Sequence, residues 1–260
     1  MKLVKTIDDI ERLCDSVRPR SRPRLVVIDT DNKAHINELE SLITKTFQEG
    51  KGFKGDSVIK GISGYDYKDG VLYINQNGVL FPAERYNKNI DTDPDFGPTT
   101  GLILHCYDAI HGLYAMQIRG KAIDHANTIQ VGAAGHGEYN EKFEETAMKE
   151  LREELSVPGS LVLPNGTFLD AVPFNVHKKP NVAFTYIAVT DLSGLPYKEN
   201  VGEIEEVIKL RSEKNSEVKN KFTVSLKNLG EIAYELEVTG LFLGPQARTV
   251  YSFIDWLNKQ

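Results

Sequence analysis

The chain has little of what several protein classes depend on. It carries two cysteines, Cys14 and Cys106, without the spacing of a thiolate metal site and too few for a disulfide framework, so a reduced cytoplasmic setting is the expectation. No apolar run reaches the roughly 20 residues a bilayer-spanning helix needs, and the start at Met1-Lys2-Leu3 lacks the pattern of a secretory signal. No membrane partner is expected. Basic charge is not in excess: 31 Lys and Arg stand against 37 Asp and Glu, for a net charge of −6. That balance argues against general nucleic-acid binding. The one basic run, Arg18-Pro19-Arg20-Ser21-Arg22-Pro23-Arg24, alternates with proline and lacks interleaved aromatics, so it reads as a loop. The six histidines do not pair at ligand spacing. What remains is an ordinary globular composition in 260 residues, enough for one or two domains.

Acid, by contrast, is concentrated at one point. The run Lys149-Glu150-Leu151-Arg152-Glu153-Glu154-Leu155 places three glutamates at i, i+3 and i+4 of one expected helix. Helical geometry then brings Glu150, Glu153 and Glu154 close enough to reach a common point. Like charges so placed repel, and a hard divalent cation such as magnesium or manganese reverses that cost. A merely solvated acidic face is the competing reading. The wheel argues against it: Phe143, Ala147, Leu151 and Leu155 form an apolar stripe, and Glu150 and Glu154 flank that stripe while Glu145, Lys149 and Arg152 face away. Asn140 is the expected N-cap, with Glu141 against the positive end of the helix dipole. Upstream, Ala133-Ala134-Gly135-His136-Gly137 is a small-residue loop that lets backbone approach a ligand.

This segment resembles the Nudix box. Gly135, Glu141, Glu150, Leu151, Glu153, Glu154 and Val157 match its pattern with every spacing kept. Two positions depart. Lys149 stands where the family has Arg, which keeps the charge and loses the bidentate fork. Ser156 stands where the family has Gly, which eases a left-handed turn after the helix.

The resemblance implies an α/β fold of Nudix type, a mixed sheet packed between helices, and metal-dependent hydrolysis of a nucleoside diphosphate linked to another moiety. It implies Mg2+ or Mn2+ as cofactor, with Glu150 and Glu154 as ligands, Glu153 as ligand or general base, and a carbonyl near Ala134 or Gly135 completing the set. Lys149 would hold Glu150. The acidic segment Glu199, Glu203, Glu205 and Glu206 is a second source for the base. Arg119, ending a strand before the box, is the residue expected to face the substrate phosphates. The partner is then a nucleotide-type small molecule. His136 lies at a variable box position, and a direct role for it is not expected. Tyr186 and Phe184 are read as core rather than as base-stacking residues, and His177-Lys178-Lys179 as a solvated turn. A Nudix-fold nucleotide-binding or regulatory domain without turnover is the alternative, which the self-repelling glutamates disfavour.

A polar stretch at Asn87–Pro98 divides the chain into a first α/β module, residues 1–95, and a hydrolase domain, residues 96–260. In the second part strands are expected at Thr100–Tyr107, Leu113–Ile118, Gly166–Asn175, Asn181–Thr190 and Val207–Leu210, with a last helix over Pro245–Leu257. In the first, helices are expected at Ile7–Ser16 and Ile36–Phe47, a strand at Arg24–Asp29, and a hairpin of Val71–Asn75 with Gly78–Phe81. Its expected role is homodimerisation or a lid. The strand ending in Asp29-Thr30-Asp31 resembles a phosphatase nucleophile motif only superficially, and Asp in a turn accounts for it.

Overall fold

A computed structural model describes residues 1–17, 24–29, 33–50, 57–81, 98–119, 127–157, 168–176, 179–193, 198–201, 207, 220–242 and 246–259. The chain is α/β, with parallel and antiparallel strand pairs and helices between them. It divides into two compact units.

The first unit comprises Met1–Gly101, His136–Phe143 and Ala171–Phe184. Its first helix, α1 (Ile7–Val17), buries Ile10, Leu13, Cys14 and Val17, the 3–4–3 spacing of one helical face. A capping box starts it: Thr6 N–H donates to Asp9 Oδ2 at 2.9 Å, and Asp9 N–H returns to Thr6 Oγ1 at 3.3 Å. Strand β1 (Lys2–Leu3) precedes that helix, and β2 (Arg24–Asp29), β3 (Ser57–Lys68) and β4 (Val71–Phe81) follow in chain order around helix α2 (Lys33–Gln48). β3 and β4 pair antiparallel from Lys68↔Val71 to Ser57↔Phe81, β1 pairs antiparallel with β3, and β2 runs parallel to β4. The turn is Asp69-Gly70, both at positive φ (53° and 76°), the geometry a two-residue hairpin demands. β3 also holds the loop that precedes the acidic helix. Lys60 N–H donates to Gly137 O at 3.1 Å and Tyr139 N–H to Val58 O at 3.2 Å. The buried Lys60 ammonium donates to Tyr139 O at 3.0 Å.

The second unit comprises Leu102–Gly135, Glu144–Asp170 and Thr185–Gln260. Here β5 (Thr99–Asp108) turns into β6 (Leu113–Ile118), β6 pairs antiparallel with β7 (Ile129–Val131), and β5 pairs antiparallel with β8 (Ala133–Gly135). After helix α3 (Phe143–Leu155) the chain forms β9 (Phe168–Val176) and β10 (Lys179–Val189), whose residues Ala171–Phe184 belong to the first unit, and then β11 (Lys198–Val201) and β12 (Asn220–Ser225). β12 lies antiparallel to β6 and parallel to β11. Helices α4 (Leu229–Val238) and α5 (Gln246–Leu257) end the chain. The apolar face of α5 seats Phe253 among His105, Tyr107 and Tyr114, with the His105 ring stacked on it at 5.3 Å. His105 Nδ1 lies 2.6 Å from the Tyr114 hydroxyl, and burial pushes its pKa down to about 3, so it is a neutral core residue. No helix among the described residues is long and apolar enough to cross a membrane.

Three expectations need correction. Val71–Phe81 is one unbroken strand rather than a hairpin about Gln76-Asn77; the turn sits at Asp69-Gly70 instead, where glycine and aspartate tolerate positive φ. Val207 is helical and buried, not part of a strand, while 208–210 lie outside the described residues. The acidic helix begins at Phe143, so Asn140 is not its cap; Asn140 lies in a turn closed by Glu141 N–H donating to Glu138 O at 3.1 Å. The basic run at 18–23, Thr30-Asp31, the connection at 87–97, His177-Lys178, and Glu203, Glu205 and Glu206 also lie outside the described residues, as does the side chain of Glu199.

Candidate active site

Helix α3 presents the stripe its sequence announced. Phe143, Ala147, Leu151 and Leu155 are 6%, 1%, 0% and 0% exposed. Glu145, Arg152 and Glu153 are exposed, and Lys149, Glu150 and Glu154 are half-buried at the margin. The helix therefore turns two glutamates toward the protein and one toward solvent. The three carboxylates do not bring their oxygens within 4.8 Å of one another; among the described residues the group that does so is Asp108, His111 and Asp191. The reason is angular: at about 100° per residue, Glu153 and Glu154 point some 100° apart even though both neighbour Glu150. The three side chains as they stand therefore do not meet at one point.

Gly135 ends β8 against the first of these acids. A Cβ built there would lie 1.9 Å from Glu150 Oε1 and 2.3 Å from its carboxyl carbon. The Glu150 carboxylate occupies the space a Cβ at 135 would take, so a larger residue there obliges the acid to move. Gly132, between β7 and β8, sits at φ 45°, and a Cβ there would lie 1.6 Å from Leu104 O. Gly135 thus brings backbone against an acid, and Gly132 brings two backbone segments together.

Glu154 is held more tightly still. Its Oε2 accepts from Gln117 Nε2 at 3.0 Å, from Gln130 Nε2 at 3.0 Å and from the Ala134 N–H at 2.9 Å. Gln117 Nε2 also donates to Gly132 O at 2.9 Å, and Arg119 Nη1 donates to Gln130 Oε1 at 2.7 Å. Sequence reading missed the two glutamines. The available signal was an amide inside each of two apolar strands, Leu113–Ile118 and Ile129–Val131, since a buried amide needs a partner. Arg119 stands at the end of β6 as expected, half-buried, with one N–H directed to Gln130.

After the helix, Ser156 takes the left-handed backbone that glycine favours, φ 56°, and its N–H donates to Arg152 O at 3.1 Å. Its hydroxyl accepts from Lys221 Nζ at 2.7 Å, a contact glycine could not make. The departure at this position changes the residue and keeps the turn. His136 lies in the loop before the helix with Nε2 3.0 Å from Asn181 Nδ2, and burial pushes its pKa down to about 4. Phe184 and Tyr186 are buried, Phe184 edge-on to Phe143 at 5.7 Å, as core residues.

Two half-buried carboxylates, one pressed on bare backbone at Gly135 and the other fixed by three donors, form a set of hard oxygens of the kind Mg2+ and Mn2+ take. The residues present fit such an ion. The Asp108 group fits it less well. Asp108 Oδ1 accepts from the N–H groups of Ile110 and His111, both at 2.9 Å. Its Oδ2 accepts from Leu192 N–H at 2.9 Å and lies 2.8 Å from His111 Nδ1. That is a turn clamp.

No family profile matches the sequence, and no curated protein matches it. Solved structures do resemble it. A Deinococcus radiodurans protein shares 14% identity over 75% of this chain and 98% of its own, with a TM-score of 0.45. The C. elegans Ap4A hydrolase shares 12% over 62% of this chain and 98% of its own, TM-score 0.41. The MutT protein of Methanosarcina mazei Go1 shares 14% over 63% of this chain and 97% of its own, TM-score 0.41. Identities and scores at this level carry no activity over to this chain, and the resemblance to the Nudix hydrolases stands on residues 135–157.

Proposed function

We propose that the chain is a metal-dependent hydrolase that cleaves the pyrophosphate linkage of a nucleoside diphosphate joined to another moiety, such as ADP-ribose, a nucleotide sugar or a dinucleotide. The observation that carries the reading is the Glu150 carboxylate packed where a Gly135 Cβ would be, on a helix that keeps the full acid spacing of the box. A bound Mg2+ or Mn2+ would offset the negative charge of the phosphates and ease deprotonation of an attacking water. Glu150 and Glu154 would hold that cation, with a carbonyl near Ala134 or Gly135 as a further oxygen. Glu153, exposed on the same helix, is free of the constraints on the other two and suits the base, with ligation as its second role. Lys149, half-buried one residue before Glu150, supplies a positive charge that steadies it. Arg119, which donates to Gln130 at the end of β6, is proposed to face the substrate phosphates. Residues 1–95 are proposed to act as a module for dimerisation or substrate closure.

The experiment is phosphatase-coupled phosphate release across a panel of nucleoside diphosphate derivatives, with and without magnesium, for the parent and Glu153→Gln. Magnesium-dependent turnover that collapses in the variant supports the hydrolase and identifies its substrate class. A chain that binds the metal and nucleotides yet turns over none of the panel is the non-catalytic binding domain instead.

A further inference from the structure

We propose that Gln117 and Gln130 are positioning residues that set the Glu154 carboxylate for the cation, and that Arg119 acts through Gln130 by fixing which way its amide faces. This rests on the metal-dependent reading above. Both glutamines are fully buried on apolar strands, where an amide costs stability unless its groups are bonded. Both donate to one atom, Glu154 Oε2, which takes Ala134 N–H as well.

Donor chemistry fixes the orientation of each amide independently of how oxygen and nitrogen are assigned. A guanidinium only donates, so the Gln130 atom 2.7 Å from Arg119 Nη1 must be its oxygen, and the amide nitrogen must face Glu154. Gln117 meets two acceptors, Gly132 O and Glu154 Oε2, so the shared atom must be its nitrogen. The cost of this arrangement is visible at the other end of Gln117. Its Oε1 is buried with no hydrogen-bond partner among the described residues, a penalty of about 1–3 kcal/mol. An apolar residue at 117 would avoid that penalty, so the amide is present for what its nitrogen does. Three donors converging on one oxygen stop the carboxylate from rotating about its last bond. A metal ligand held in this way loses less entropy on binding, and removing such a partner from a metal ligand typically weakens the ion by about 10–100-fold.

The test titrates Mn2+ into the full chain and follows the paramagnetic resonance signal of the free ion, a readout that needs no substrate. Gln117→Met and Gln130→Met keep shape and remove the donors; each is made in the parent and in Glu154→Gln, with thermal melting recorded beside it. Arg119→Met and Arg119→Lys, at a half-buried position, serve where a core variant does not fold. The expected result is a roughly 10–100-fold loss of Mn2+ affinity for either glutamine variant in the parent. In Glu154→Gln the same changes should cost less than about threefold, because the effects are not additive when one residue acts through another. Arg119→Met should weaken Mn2+ and Arg119→Lys should restore part of the loss. Unchanged affinity in the parent background, or an equal loss in both backgrounds, overturns the inference while a parent that binds Mn2+ leaves the hydrolase reading intact. A parent that binds no Mn2+ overturns both.

Discussion

Asp108 and Glu154 are both carboxylates ringed by N–H donors within the same unit of the chain, yet the donors are arranged to opposite ends. Around Asp108, backbone N–H groups of Ile110, His111 and Leu192 engage both oxygens, and the His111 ring closes the ring of contacts. Burial works to raise its pKa, and these four contacts outweigh it, bringing it down to about 2. The acid ties the turn after β5 to the segment after β10. Around Glu154, three donors meet at Oε2, two of them side chains, and one of those side chains is itself oriented by an arginine. Backbone donors spread over both oxygens make an acid structural. Side-chain donors gathered at one oxygen, one of them held in turn by an arginine, are what we propose sets Glu154 for a cation.

That contrast breaks most plainly by substitution at the helix. Glu150→Gln should lower magnesium-dependent turnover by roughly 100-fold or more, about 2.7 kcal/mol of barrier, with the melting temperature nearly unchanged; steady-state rates beside a thermal melt check it. Asp108→Ala should do the reverse. It removes the acceptor of the buried Leu192 N–H and of the part-buried Ile110 and His111 N–H groups and should destabilise the fold by about 2 kcal/mol in a denaturant titration, with Mn2+ affinity per folded chain unchanged. Gly135→Ala should fall between the two, displacing Glu150 and weakening Mn2+ by about tenfold while costing some stability through the close contact.

Smaller effects sharpen the same comparison. The folded Asp108 pKa of about 2 lies below the ordinary aspartate value of about 3.9. The unfolded chain therefore takes up the proton first on acidification. Its contribution is complete above about pH 4 and is lost as pH falls toward 2, a slope that Asp108→Asn should flatten in acid unfolding curves. His111 shifts the other way, raised by its bond to Asp108. Its contribution is present below the ordinary histidine value of about 6.5 and lost as pH rises through the folded value, which a proton-resonance titration of its ring would register as an upward midpoint. Smallest is Ser156→Gly, which relieves a positive φ and forgoes the Lys221 contact. A net change within about 1 kcal/mol in a melt is expected.

Local pattern made the helix legible. The apolar stripe of Phe143, Ala147, Leu151 and Leu155, and the placing of Glu150 and Glu154 beside it, follow from 3.6-residue periodicity alone. So do α1 and α5, whose observed ends fall within a residue of those expected. The hairpin was misplaced for want of weight on Asp69-Gly70, a signal that was present and specific. The start of α3 moved because the chain first makes a separate turn at Glu138–Glu141, held on β3. What periodicity could not supply was anything set by long-range contact. Gln130 and Gln117 lie 24 and 37 residues from Glu154, and Asp108 and Leu192 lie 84 apart. Only the sheet brings such groups together, and a buried glutamine in a strand announces a need for a partner without naming it.

The central claim is that the helix glutamates hold a cation that makes the pyrophosphate linkage cleavable. Its most direct test is the magnesium dependence of turnover, on the best substrate of the panel, for the parent and Glu154→Gln. The account predicts that the parent saturates with magnesium and that the variant needs much higher magnesium for a lower maximal rate. Turnover without added metal in chelator, or identical magnesium curves for the two proteins, would contradict it.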